Sequence, residues 1–247
     1  MNIPDLVAHR GYSLHYPENT LVGIEAAIRA GARYVEVDIQ LSADRIPMLF
    51  HDRSLARVCG VSGAIHDFTL TKLSQFYASE FERFGYKFAQ EPIATLAGLV
   101  ALLQRHPQVT AFIEIKRIAL EQFGIDVVLE QILSELRPVA ERCVLISFSN
   151  EFLLAARPRW ASIGAVADKW QERKQAIIHN LKPEYLFCDV AGLPRWGDLH
   201  YGHSRVVVYE VVDSELALRL AKRGVDLIET FAVGEMSAAL ELARGAA

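Results

Sequence analysis

The sequence predicts an α/β protein built as a closed (β/α) barrel. Three observations lead there. The chain has 247 residues, within the range of a one-domain barrel. Short apolar runs alternate with amphipathic helical patterns, which means βα units and a parallel sheet. The runs number about eight, more than the about five or six of an open doubly wound sheet. One domain over residues 1–247 is therefore expected. Apolar residues make up 51% and charged residues 23%, ordinary for a packed soluble protein.

The elements follow in order. Leu6–His9 is the first strand, and Gly11 leaves room for the chain to turn after it. Pro17-Glu18-Asn19-Thr20 opens a helix over Thr20–Arg29, with Asn19 or Thr20 as its cap. Leu21, Ile24 and Ile28 share one face of that helix, and Gly31 ends it. Strands are expected at Tyr34–Ile39 and Pro47–His51. From Asp52 to about Phe88 the alternation fails, and the stretch reads as an insertion of loops and short helices within the same domain. Beyond it, helices at Leu96–Gln104, Phe123–Leu136, Glu151–Ala156, Glu172–Asn180 and Glu215–Lys222 are interleaved with strands. Those strands are Thr110–Ile115, Cys143–Phe148, Ser162–Val166, Tyr185–Cys188, Arg205–Val211 and Asp226–Glu229. Nine candidates for eight places leave one outside the barrel or not a strand.

Charge and composition narrow the function. A net charge of −4 with no basic run argues against nucleic acid as the ligand. No secretory leader is expected from the opening residues, and no window approaches the ~18 to 20 apolar residues of a membrane span. Cys59, Cys143 and Cys188 form no CxxC pair and read as core hydrophobes of a reduced protein. A cytoplasmic protein without stable membrane insertion is expected, and homo-oligomerisation is left open.

Two strands carry charges where a doubly covered sheet should not. Glu36 and Asp38 share one face of Val35–Ile39, and Glu114 and Lys116 share one face of the next barrel strand. A half-exposed antiparallel strand would explain this, but parallel strands are covered on both faces. Unpaired carboxylates there would cost several kcal/mol each, so they need a cation. Glu36, Asp38 and Glu114 suit Mg²⁺ or Ca²⁺, which take hard oxygen ligands. His9 and His51 end strands and can supply a general acid and a general base. Arg10 can clamp a phosphate and Lys116 can add a point charge. Asp52 reads as support for His51. Together these describe phosphoryl transfer.

The link between the second and third strands is the difficulty. A tight hairpin would send His51 to the opposite end of the sheet from Asp38. A parallel strand reached by an extended return is therefore expected; Ile39 to Pro47 can span about 26 Å at ~3.3 Å per residue.

His9-Arg10-Gly11, Pro17-Glu18-Asn19-Thr20, Glu36-x-Asp38, His51-Asp52 and Glu114-x-Lys116 resemble, in order and spacing, the motifs of the glycerophosphodiester phosphodiesterase family. Ser147-Phe148 also fits. The resemblance implies an irregular TIM (β/α)8 barrel with a small insertion after the third strand. It implies a divalent metal on Glu36, Asp38 and Glu114, with His9 and His51 as the acid–base pair. Arg10 and Lys116 would bind the phosphate, and Glu18 would support the site. The implied reaction turns a small-molecule glycerophosphodiester into sn-glycerol 3-phosphate and an alcohol. In it the glycerol 2-hydroxyl attacks phosphorus and water then opens the cyclic phosphate. The C-terminal third departs from the pattern. Val208-Tyr209-Glu210-Val211 stands where many members carry Trp-Thr-Val-Asn, and Glu229-Thr230-Phe231 where many end in Thr-Asp.

Two rival functions remain. A lysophospholipase D-like activity on single-chain lipids would use an apolar rim on the insertion, for which Phe76, Tyr77, Phe81, Phe84, Tyr86 and Phe88 are candidates. A catalytically silent barrel binding phosphorylated metabolites is the other, though the intact histidines and carboxylates speak against it. Trp160, Trp170 and Trp196 read as packing or surface aromatics. His66, His106, His179, His200 and His203 read as solvated or loop residues. His15, in the loop leaving the first strand, is the best exception among them.

Overall fold

The computed structural model of the protein describes residues 3–245. Nine strands form, in chain order β1 (Asp5–His9), β2 (Tyr34–Leu41), β3 (Pro47–Leu49), β4 (Thr110–Ile115), β5 (Cys143–Ser147), β6 (Ile163–Ala167), β7 (Tyr185–Asp189), β8 (Arg205–Tyr209) and β9 (Leu227–Thr230). The sheet order β1-β9-β8-β7-β6-β5-β4-β2 closes on itself through the β1–β2 pairing, all parallel. β3 bonds to β2 from outside that ring. The expected TIM barrel is thus present, and β3 is the ninth candidate that the barrel could not seat.

Inward side chains alternate with outward ones along each strand and fill the centre. Val7, Phe112, Val144, Ile146, Val166, Phe187, Val207 and Leu227 form this inner core. Phe112 anchors it, with the Tyr185 and Phe187 rings edge-on at 4.9 and 5.0 Å. The outward aliphatics Val35, Val37 and Ile39 of β2 and Ala111 and Ile113 of β4 pack in a larger core with the surrounding helices. Those helices include α1 (Leu21–Arg29), where Thr20 caps the start by accepting from Gly23 N.

The insertion holds three one-turn helices, α2 (Ala56–Cys59), α3 (Leu70–Leu73) and α4 (Phe81–Phe84). They enclose a small core of Phe50, Leu55, Val58, Ile65 and Leu73. Then come α5 (Leu96–Arg105), α6 (Arg117–Phe123), α7 (Ile125–Leu136), α8 (Asn150–Ala156), α9 (Ala176–Leu181), α10 (Ser214–Ala221) and α11 (Val233–Gly245). α11 is an additional helix beyond those the sequence pattern predicts, and that pattern differs from the structure at two others. The pattern joins Phe123–Leu136 into one helix where α6 and α7 break at Gly124 (φ +77°), and it opens Glu172–Asn180 on residues that form a 3₁₀ turn (Trp170–Lys174) before α9.

The parallel return to His51 is overturned. β2 and β3 are an antiparallel hairpin with Ile39 opposite Leu49 and Leu41 opposite Pro47. The geometry works because β2 runs past Asp38 to Leu41 before it folds back. Three residues of β3 then cancel that overshoot, and Phe50 N donates to Asp38 O at 2.9 Å. The Gln40 amide fastens the return by donating to the carbonyls of Phe50, His51 and Asp52 at 3.1, 3.1 and 2.7 Å.

Candidate active site

Strand register assembles the site at the C-terminal ends of the barrel strands, the end where βα barrels place their chemistry. His9 lies beside Glu36 across β1–β2, and Asp38 beside Glu114 across β2–β4. Because neighbouring strands present paired residues to the same side, all four face the barrel axis. His9, Arg10, His51, Glu114 and Lys116 line one cleft with Phe148, Tyr209, Glu210 and Glu229. The loop after β1 turns sharply there. Gly11 has φ +82°, and a Cβ would stand 2.8 Å from the Gly23 backbone, so only glycine fits. Arg10 and Asn19 also hold left-handed backbone, φ 55° and 56°, strain of the kind that the surroundings of a site sustain.

Glu36, Asp38 and Glu114 each offer a carboxylate oxygen within 4.8 Å of the others. Asp38 is the best held of the three. The Asn19 amide donates to its Oδ2 at 2.9 Å, and Asn19 Oδ1 accepts from its backbone N at 3.0 Å. Arg10 Nε stands 3.0 Å from Asp38 Oδ2 and Lys116 Nζ 3.2 Å from Oδ1. Burial would raise this carboxyl, but Arg10 and Lys116 outweigh it and keep it well below the ordinary range. Glu36 goes the other way. Burial first, then the charges of Asp38, Glu229 and Glu114, push it well above its ordinary value. Its Oε1 is buried without a hydrogen-bond partner. Glu114, raised by burial and Asp38, accepts from Lys116 at 2.7 Å.

His51 Nδ1 contacts Asp52 Oδ1 at 2.8 Å. Arg57 binds Asp52 on its other side and clamps Glu18 with two bonds of 2.6 and 3.0 Å. Glu18 in turn accepts from Arg10 at 3.3 Å. His9 is buried and gripped on three sides. The Phe231 ring stacks on it at 4.8 Å and 19°. Glu210 Oε1 lies 3.0 Å from its Nδ1, and Glu36 Oε2 lies 3.7 Å from its Nε2. The Glu210 contact is a charge contact, short but too bent for a hydrogen bond. Burial lowers the His9 pKa, yet Glu229 and Glu210 outweigh burial and raise it.

All nine residues singled out from the sequence therefore meet in or directly behind one cleft. Glu18 and Asp52 stand behind Arg10 and His51. Arg10 and Lys116 are paired with carboxylates. Sequence reasoning missed Arg57, Gln40 and Glu229. Glu229 is 3% exposed, and its Oε1 also lacks a partner. An acidic residue directly after the apolar pair Leu227-Ile228, at the end of an expected strand, was the signal that could have found it. His15 turns away from the cleft and bonds Glu235 of α11 at 2.6 Å. Trp160 and Trp170 are buried and Trp196 is exposed. On the insertion, Phe76 packs against the small core while Tyr77, Phe81 and Tyr86 are exposed.

The donor set fits a divalent cation. Among the described residues, Glu36, Asp38, Glu114, Glu210 and Glu229 gather around the cations Arg10 and Lys116 of the cleft, and buried carboxylate oxygens of Glu36 and Glu229 are orphaned. Hard oxygen donors of this kind suit Mg²⁺ or Ca²⁺.

Comparison with known proteins points the same way. Residues 9–157 match the glycerophosphoryl diester phosphodiesterase family. A phosphodiesterase of Oleispira antarctica, solved in complex with the product sn-glycerol-3-phosphate, superposes with a TM-score of 0.83 over 97% of each chain at 25% identity. The glycerophosphodiester phosphodiesterase of Agrobacterium tumefaciens shares the fold, with a TM-score of 0.78 over 96% of this chain and 100% of its own, at 19% identity. Glycerophosphodiester phosphodiesterase 1 of Mus musculus is 36% identical over 110 residues, 44% of this chain and 33% of that protein. The glycerophosphodiester phosphodiesterase of Caldanaerobacter subterraneus is 37% identical over 98 residues, 40% of each chain. The matched stretches thus span well under two thirds of these two relatives. The chain belongs to the glycerophosphoryl diester phosphodiesterase family.

Proposed function

We propose that this chain, as a single barrel domain, hydrolyses glycerophosphodiesters to sn-glycerol 3-phosphate and an alcohol. The observation that carries the reading is the convergence of Glu36, Asp38 and Glu114 beside both His9 and His51 in one cleft. The Oleispira antarctica relative, which holds sn-glycerol-3-phosphate, supports the substrate class.

Glu36, Asp38 and Glu114 would hold a divalent cation, Mg²⁺ or Ca²⁺. When bound, it supplies Lewis-acid stabilisation of charge on the phosphoryl oxygens. Arg10 and Lys116, both lining the cleft, bind phosphate oxygens. One histidine takes the proton of the glycerol 2-hydroxyl as that oxygen attacks phosphorus, and the other returns a proton to the departing alcohol. Water then opens the cyclic phosphate with the proton roles reversed. Asp52 orients His51 through Nδ1. Glu18 holds Arg10. A cytoplasmic location completes the reading; among the described residues no helix is long and apolar enough to cross a membrane.

The test is release of sn-glycerol 3-phosphate from glycerophosphocholine, with Mg²⁺ or Ca²⁺ and with chelator. Activity with metal and its loss with chelator support the proposal. Activity that ignores the chelator removes the metal, and no release from any diester leaves the silent binding barrel. His9→Ala and His51→Ala should each lower the rate by about 10²-fold or more. The exposed Phe81 and Tyr86, packed edge-on at 5.1 Å, favour lysophospholipids as a second substrate to assay beside the diester.

A further inference from the structure

His9 has a backbone place set by β1, but its ring orientation is decided elsewhere. An imidazole at a strand end can rotate about its Cβ–Cγ bond, and a half-turn puts Cδ2 in place of Nδ1 and Cε1 in place of Nε2, taking both nitrogens off their partners. Two contacts prevent this here. Phe231, just past β9, stacks flat on the ring at 4.8 Å and fixes its plane. Glu210, just past β8, places Oε1 3.0 Å from Nδ1. With plane and Nδ1 set, Nε2 is left 3.7 Å from Glu36 Oε2, towards the carboxylate cluster.

The barrel brings these residues to His9 by topology. β9 pairs with β1 and β8 with β9, so the segments after β8 and β9 lie next to the tip of β1. Val211 N donates to Glu229 O at 3.0 Å, which pins the chain beside Glu210 to β9. Glu210 and Phe231 also stand in the two runs where this sequence departs from the family pattern. The two departures meet on one ring.

We infer that Glu210 is a positioning residue for His9, acting with Phe231 to hold the imidazole so that Nε2 faces the reacting groups. The inference rests on the reading that His9 moves a proton in the reaction. A negative charge beside Nδ1 favours the tautomer with its proton there, by charge–dipole attraction that tolerates a bent approach. Nε2 then keeps its lone pair available towards the site. Glu210 thus acts on the reaction through His9 and need not touch the phosphate.

The test is a double-mutant cycle with Glu210→Ala and His9→Ala, scored by kcat and KM, with Glu210→Gln and Phe231→Leu beside it. Glu210→Ala should lower kcat about 10- to 100-fold, the usual range for a partner that orients an imidazole, and leave KM within about threefold. Glu210→Gln, which keeps the shape and a carbonyl dipole at Nδ1 but not the charge, should recover only part of the loss. Phe231→Leu should lower kcat in the same direction. In the His9→Ala background Glu210→Ala should change kcat less than about twofold. Nitrogen-15 spectra of the histidine rings should show His9 protonated at Nδ1 in the parent and as a mixture of tautomers in Glu210→Ala. Glu210 is a loop residue with a partly exposed side chain, and circular dichroism checks that its variants fold. A His9→Ala slowed by about 10²-fold or more with unimpaired Glu210→Ala, or with equal Glu210→Ala losses in both backgrounds, overturns the inference. A fully active His9→Ala instead overturns the proton-transfer reading beneath it, and the spectra still report whether Glu210 sets the tautomer.

Discussion

Replacing Glu229 with glutamine should stabilise the metal-free protein, and only where the carboxyl would otherwise be ionised. Glu229 is 3% exposed in the barrel wall, in register with Val7, and one of its oxygens has no partner. Burial, with the charges of Glu114, Asp38 and Glu210, outweighs the attraction of His9 and lifts the carboxyl from 4.5 to about 7. Glu36 lies within 4.8 Å as well. A folded value above the unfolded one means the folded state keeps its proton longer. Stability is therefore fully present below about pH 4.5 and is lost as pH rises through about 7. At about 1.4 kcal/mol per pH unit, the loss at pH 8 is about 3 kcal/mol. Glutamine has the same shape and no proton to lose. Glu229→Gln should therefore gain about 3 kcal/mol at pH 8 and under about 1 kcal/mol at pH 5. For a chain of this size that is a rise in Tm at pH 8 of about 6 to 12 °C. Thermal melts of both proteins at pH 5, 6.5 and 8, with chelator present, make the comparison. An equal gain at every pH, or no gain at pH 8, would refute the reasoning.

Three further outcomes are expected. Asn19→Ala breaks both hydrogen bonds to Asp38 and should cost about 1 to 3 kcal/mol in urea unfolding; calorimetry should also show weaker Mg²⁺ or Ca²⁺ binding, and unchanged affinity would detach Asp38 from the cation. Phe112→Ala empties the centre of the inner core and should cost about 3 to 5 kcal/mol, whereas a urea midpoint close to the parent's would mean that the barrel interior collapses around the gap. Asp52→Asn leaves His51 without a charged partner at Nδ1 and should lower kcat about 10- to 100-fold with little change in KM; a change confined to KM would make Asp52 a substrate contact.

The parts of the site that were legible before any coordinates are those written into a strand's own alternation. Glu36 and Asp38 on one face of β2, with Glu114 on the same side of β4, follow from a two-residue period and from the covering of parallel strands on both faces. The path to His51 was not legible. A seven-residue link allowed a hairpin or a return, and the choice depended on how far β2 overran Asp38, which local pattern does not record. Arg57 was equally hidden. It sits on a one-turn helix of the insertion, and its value lies in reaching both Glu18 and Asp52, residues 39 and 5 positions away.

The sequence by itself determined the barrel class, the carboxylate cluster and the two strand-end histidines, because periodicity and local chemistry act between near neighbours in the chain. Only the tertiary structure decided that β3 lies outside the barrel. It alone revealed that Glu210, Glu229 and Phe231 surround His9. Barrel closure brings the last strands beside the first, and no local rule connects residue 9 with residues 210 to 231.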